Sequence, residues 1–134
     1  MNKKSSIRAN LQKIIRYVFI YGFGRTLVKA LGRLRPKLRI WILFYFPRYH
    51  RNGKTIGIVG CGQHSYSSIA FFLSTSTKSK IQFALDIDKD ASESFAYAYN
   101  AEDISSKYNS NEDIIDIPDL VYISSNHSSH AEYA

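Results

Sequence analysis

The run Ile56-Gly57-Ile58-Val59-Gly60-Cys61-Gly62-Gln63-His64-Ser65 constrains this chain more than any other stretch. A short β-branched apolar segment bounded by glycines reads as a buried strand, and the residues after it read as the opening of a helix. The connection between them has to be tight, which Gly60 permits. Gly62 leaves its backbone uncovered, so a pyrophosphate could approach the N–H groups at the start of the helix. Ser65 stands where a third glycine completes the dinucleotide-binding spacing. A small side chain is tolerable there, with slightly looser packing of helix on strand. Two glycines alone are a weak signal, because any strand-to-helix turn accepts them.

The pattern continues past this turn as short apolar runs alternating with helix-length segments. Residues 65–74 read as a helix carrying Ile69, Phe72 and Leu73 inward, 81–85 as a second strand, and 90–99 as a helix with Phe95 facing the core. Ile104 marks a short third strand, 111–115 a short helix and 120–123 a fourth strand, and a further helix begins at Ser128. Strands alternating with helices imply right-handed crossovers and a parallel sheet covered on both faces. The fold class is therefore α/β.

Two groups of polar residues sit where such a sheet presents ligand-binding loops. Asp86 closes the second strand about 20 residues beyond the glycine turn, where a carboxylate accepts hydrogen bonds from the 2′- and 3′-hydroxyls of an adenosine ribose and repels a 2′-phosphate. This favours NAD over NADP. The competing reading is that Asp86, Asp88 and Asp90 form a solvated turn that caps the next helix; for Asp88 the cap is the stronger reading. Ser124-Ser125-Asn126-His127-Ser128-Ser129-His130 follows the fourth strand at the carboxyl edge of the sheet. Its two histidines have no Cys, Asp or Glu near enough in sequence to complete a metal site, so no metal is expected. In the plainer reading His130 caps a helix and His127 is a loop residue.

Charge divides the chain. Residues 1–54 hold 14 of the 18 Lys and Arg and no acid, whereas residues 55–134 hold 4 bases and all 11 acids, giving +14 and −7. In the basic part, Ile7, Leu11, Ile14, Ile15, Val18 and Phe19 recur at helical spacing, with Ser5 or Ser6 as N-cap. Gly22 and Gly24 interrupt that helix. A second follows, with Leu27, Ala30, Leu31 and Leu34 beside a basic stripe of Arg25, Lys29 and Arg33, and Pro36 closes it. Residues 38–46 are apolar and aromatic and suit either a strand or a short helix; 48–54 read as a linker. The organisation expected is a basic helical leader over 1–50 and a nucleotide-binding domain over 51–134.

Several classes are excluded or disfavoured. The single Cys61 rules out a disulfide framework within the chain, a zinc ribbon and an iron–sulfur cluster, and fits a reducing compartment. The longest apolar run, residues 40–46, is far short of the roughly 20 residues of a membrane-spanning helix. The stretch 14–23 is interrupted by Arg16 and lacks a signal-peptide cleavage pattern. A cytoplasmic protein is expected. For the leader, one reading is a pair of helices whose apolar stripes pack on a missing remainder of the protein or on a partner subunit, including a second copy. Another is peripheral contact with anionic lipid, suited by Arg and Lys beside Trp41, Phe44, Tyr45 and Phe46. Nucleic acid is not expected as a partner, since no known reading motif accompanies the charge and the acidic half repels a phosphate backbone.

The residues IGIVGCG (56–62), Leu85-Asp86-Ile87-Asp88 and above all VYISSNHSSHAEYA (121–134) resemble the Gfo/Idh/MocA family of glucose-fructose oxidoreductase and inositol dehydrogenase relatives. The stretches around Tyr21-Gly22-Phe23-Gly24-Arg25-Thr26 and Gly32-Arg33-Leu34-Arg35 resemble a basic leader found in a bacterial subgroup of the family. The resemblance implies a Rossmann-type, doubly wound parallel sheet, of which about four strands are expected here. It further implies NAD(P) as cofactor, and a sugar-like or cyclitol substrate taken by a second domain. Carried over by position, Gly60, Gly62 and the turn of Gln63, His64 and Ser65 hold the pyrophosphate, and Asp86 the adenosine ribose. Ser124, Ser125 and Asn126 line the nicotinamide-side ribose, His127 contributes to that lining, and His130 fixes the loop.

The family's E-K-P lysine and the acid/base residues of its second domain have no counterpart in these 134 residues, so no catalytic residue is assigned. The expectation is a truncated product. It reads either as the cofactor half of a hydride-transferring oxidoreductase or as a catalytically silent nucleotide-binding or interaction module whose leader docks a membrane or a partner.

Overall fold

The computed structural model describes residues 3–43, 53–106 and 117–125. Three helices form the leader, α1 (Lys3–Tyr21), α2 (Phe23–Gly32) and α3 (Pro36–Leu43). Strand β1 (Thr55–Val59) leads into a helix over residues 63–75. Its first part, Ser65–Ile69, is π-helical, and its second is α4 (Ala70–Thr75). Then come β2 (Lys80–Leu85), α5 (Lys89–Tyr99), β3 (Glu102–Asp103) and β4 (Leu120–Ile123).

All strand pairings are parallel, in the order β3-β2-β1-β4. The chain winds outward from β1 through β2 to β3, then crosses back to place β4 on the other side of β1. The direction of winding therefore reverses between β1 and β4, opening a crevice at their carboxyl ends. Apolar residues alternate across the sheet as a strand period of two requires. Ile56, Ile58, Ile81 and Ala84 join Tyr66, Ala70 and Phe95 in the larger core, while Val59, Phe83, Leu85 and Ile104 form the smaller one.

The expected α/β sheet, its four strands and the inward Phe95 are present. Three details differ. Helix α1 already runs at Lys3, so Ser5 and Ser6 lie within it and do not cap it. Pro36 opens α3, where its fixed φ and missing N–H suit the first helical turn; α2 ends at Gly32, with Arg33 as its C-cap. For the segment from Leu38, where the sequence suits either a strand or a short helix, the structure is helical up to Leu43. Phe72 is 48% exposed, not inward, because the π-turn before it inserts an extra residue and rotates the rest of the helix, so Tyr66, Ala70 and Leu73 face the core. The expected helices at 111–115 and from Ser128 lie outside the described residues.

The leader does not stand apart from the sheet. Leu31 of α2 is buried in the larger core, and Leu27, Val28, Leu34, Ile42 and Leu43 pack on its rim. Lys37 of α3 reaches Asp90 of α5 at 3.3 Å.

Candidate functional site: the crevice between β1 and β4

The site is built around Gly60. Its φ of +91° lies in the region that side chains disfavour, and a Cβ there would stand 2.7–2.8 Å from the backbone of Ser124 and Ser125. The glycine thus lets the loop after β1 lie flush against the loop after β4. Its N–H donates to Leu85 O at 2.8 Å, and the Ser124 N–H donates to Val59 O at 2.7 Å, fixing both loops to their strands. Gly62 is the opposite case: a Cβ there would meet no atom within 4 Å, so its backbone faces open space. The side chains of Gln63 and His64 are exposed beside it. Ser65 is buried, its hydroxyl without a hydrogen-bond partner, in the place where the third glycine of the spacing allows close packing.

Beneath the turn lies Cys61, fully buried, its thiol against Leu85 O at 3.6 Å. Burial first, and then the nearby Asp86, push the thiol well above the ordinary cysteine range, so it is neutral at physiological pH and no nucleophile.

Asp86 ties the loop after β1 to its own loop after β2. Its Oδ2 accepts the Cys61 N–H at 2.6 Å and its Oδ1 accepts the Asp88 N–H at 2.9 Å, while its own N–H donates to Ser105 Oγ at 3.3 Å. Asp88 is occupied otherwise. It is the N-cap of α5, its Oδ1 accepting from the N–H groups of Asp90 at 3.0 Å and Ala91 at 3.4 Å, so the capping reading holds for that residue.

The π-turn that follows Gly62 is a feature that periodicity does not reveal. Three of its carbonyls receive side-chain donors: Gln63 O from the Ser67 hydroxyl at 2.8 Å, Ser67 O from Arg25 Nη1 at 3.2 Å, and Tyr66 O from the Tyr99 hydroxyl. Widened turns leave carbonyls off the i→i−4 ladder, and these donors satisfy them. Two come from outside the helix itself, one from the leader and one from α5. One faint sign of this is the serine pair Ser67-Ser68.

The backbone of Ser124 and Ser125 lies against Gly60 at the crevice, whereas Asn126, His127 and His130 lie outside the described residues. Among the described residues, no three His, Cys, Asp or Glu side chains gather as metal ligands, and no helix is long and apolar enough to cross a membrane.

The model of the Gfo/Idh/MocA oxidoreductase family, an NAD-binding Rossmann fold, matches residues 54–134. The chain belongs to this family. No curated protein and no solved structure matches it. The Gfo/Idh/MocA match begins one residue before β1 and takes in Gly60, Gly62, Asp86, Ser124 and Ser125; the leader helices lie outside it. What those helices add is therefore not part of the family's shared domain.

Proposed function

We propose that this chain is the NAD-binding portion of an oxidoreductase that moves a hydride between nicotinamide and a hydroxyl-bearing carbon of a sugar-like or cyclitol substrate. The observation that carries the reading is the crevice itself. The winding reverses between β1 and β4, Gly60 is pressed against Ser124 and Ser125, and Gly62 is open where a Cβ would otherwise project. An open glycine next to a helix start accommodates a diphosphate on backbone N–H groups. The residues present thus suit the dinucleotide, which when bound supplies the hydride-accepting ring.

In this reading Gly60 and Gly62 shape the turn, and Gln63 and His64 flank the diphosphate. Ser65 contributes its small size beneath it. Asp86 holds the adenosine ribose: each carboxylate oxygen has one backbone donor and keeps a second lone pair for a ribose hydroxyl. The same carboxylate repels a 2′-phosphate, favouring NAD over NADP. Ser124, Ser125, Asn126 and His127 line the nicotinamide-side ribose.

Titration of NADH fluorescence against the chain tests this. Asp86→Ala should weaken NADH binding about tenfold or more and narrow the preference over NADPH. Asp88→Ala, which removes only the α5 cap, should lower stability by about 1 kcal/mol and leave NADH affinity alone. Equal binding by Asp86→Ala and the unaltered chain would remove the ribose role.

A second reading concerns the leader alone. Ile7, Leu11, Ile14, Phe19 and Ile20 of α1 are exposed, in a segment of the chain without a single acid. A helix of that kind suits an anionic lipid surface. Co-sedimentation with vesicles should rise with their phosphatidylserine content, and binding indifferent to it would end this reading.

A further inference from the structure

Among the described residues, two side chains hold buried polar atoms without a hydrogen-bond partner, the small Ser65 hydroxyl under the turn and one charged group. Arg39, on leader helix α3, is only 3% exposed, and its Nε and Nη1 find no hydrogen-bond partner. Its guanidinium carbon lies 4.1 Å from the centre of the Tyr66 ring. Burying a cation is costly unless an anion or a set of acceptors compensates it, and a stacked ring compensates only in part. Among the described residues, the ionisable groups that act on it are Tyr66, Tyr99 and Cys61, and they supply no negative charge. Burial raises the Tyr66 hydroxyl to about 12 and pushes Tyr99 and Cys61 higher still, so all three are neutral at pH 7. Burial also lowers the arginine's own value, but a guanidinium remains charged under ordinary conditions.

The position of this cation decides its meaning. Tyr66 belongs to the π-turn, and its N–H donates to Gly62 O at 2.9 Å. Arg39 therefore stacks on the side chain of a residue whose backbone N–H is bonded to Gly62, which links the cation to the open turn through Tyr66 alone. Water is excluded around Arg39, so its field is weakly screened. Lys37, two residues away, is exposed and neutralised by Asp90, and offers no such field.

We propose that Arg39 is a buried counter-charge for the diphosphate of the dinucleotide, a positioning residue that the leader contributes through Tyr66 of the phosphate turn without touching the ligand. The idea rests on the nucleotide-binding reading above and extends it. A cation kept for this purpose costs the ligand-free protein stability and returns it as affinity for an anion. A cation kept for packing does not separate the two.

Arg39→Met and Arg39→Lys in the full 134-residue chain distinguish these, each followed by thermal unfolding and by NADH titration. Arg39→Met retains an apolar stem over Tyr66 and removes the charge. The unfolding midpoint should hold or rise, while the NADH dissociation constant increases about tenfold. Arg39→Lys keeps the charge and should stay within about threefold of the unaltered chain. The proposal is overturned if Arg39→Met binds NADH as tightly as the unaltered chain. It is equally overturned if the methionine and lysine variants lose stability and affinity together, since Arg39 is then packing. Failure of the unaltered chain to bind NADH would instead bring down the nucleotide reading on which the proposal stands.

Discussion

Helices α1 and α2 are both rich in apolar and basic residues and free of acid, yet they meet different fates. The apolar side chains of α1 remain largely in solvent, Phe19 at 86% exposure. In α2, Leu31 enters the core beside Ile58 and Tyr66 at 6% exposure and Leu27 and Val28 pack on its rim, while Phe23 at the first turn stays exposed. The difference lies in what each helix can approach. Helix α2 ends on Gly32, where a Cβ would already stand 3.1 Å from Ser67 Cβ and 3.3 Å from Tyr66 Cδ1. It also carries Arg25, which donates to Ser67 O and lies over Phe72 at 4.1 Å. Helix α1 is tied mainly to α2, through Tyr17 and Lys29. An amphipathic stripe shows that a helix has a face to bury; a small residue at the contact and donors aimed at free carbonyls decide where.

The comparison breaks most readily at the apolar contacts. Leu31→Ala should cost about 2–4 kcal/mol in chemical denaturation, since it opens a cavity between α2 and the core. Leu11→Ala on α1 should change stability by less than about 0.5 kcal/mol. Equal costs would mean that the two helices are equivalent after all.

Glycines sharpen it next. At Gly32 a branched side chain has to displace Ser67 and Tyr66 in the phosphate turn, so Gly32→Val should cost about 1–3 kcal/mol. Gly24 lies at the other end of the same helix, where a Cβ would meet nothing within 4 Å. Gly24→Ala should be neutral or stabilising by up to about 1 kcal/mol. Thermal unfolding of the pair reads the difference directly, and a destabilising Gly24→Ala would show that close approach is not what sets Gly32 apart.

These contrasts also mark what was legible in the sequence. Strands β1, β2 and β4 were readable because each is a short apolar run punctuated by glycine or by a polar turn, and Gly60, Gly62 and Asp86 follow from their spacing. The capping role of Asp88 follows from its place ahead of α5. The π-turn was not readable, because its stability comes from Arg25 and Tyr99, residues distant in sequence that supply donors only once folded. Arg39 was hidden for a related reason. Among the 14 basic residues of positions 1–54, where there is no acid, nothing in composition separates the arginine that is buried from those that are solvated.

Acid offers the mildest test of the contrast between the attached leader helix α2 and the sheet edge. Residues 1–54 carry no carboxylate, so the contacts of α2 with the turn have no acid-titrating group of their own. At the edge, Asp119 Oδ2 accepts the Thr55 N–H at 2.7 Å and the Thr55 hydroxyl at 3.0 Å, tying the start of β4 to the start of β1. The backbone bond, and then the hydroxyl, hold the Asp119 carboxyl below its ordinary value of 3.8. With the folded value below the unfolded one, its stabilisation is complete above the unfolded value and fades as pH falls through the folded one. The group is exposed, so the effect is small and local. Hydrogen-exchange protection in Leu120–Ile123 should decline between about pH 4 and pH 2, while that around Leu31 in α2 persists to lower pH. Asp119→Asn, which cannot ionise, should flatten the response at β4 and leave α2 unchanged. If both regions lose protection together in the unaltered chain and in Asp119→Asn, the sheet edge and the leader unfold as one unit, and the separation between them lies within α1 alone.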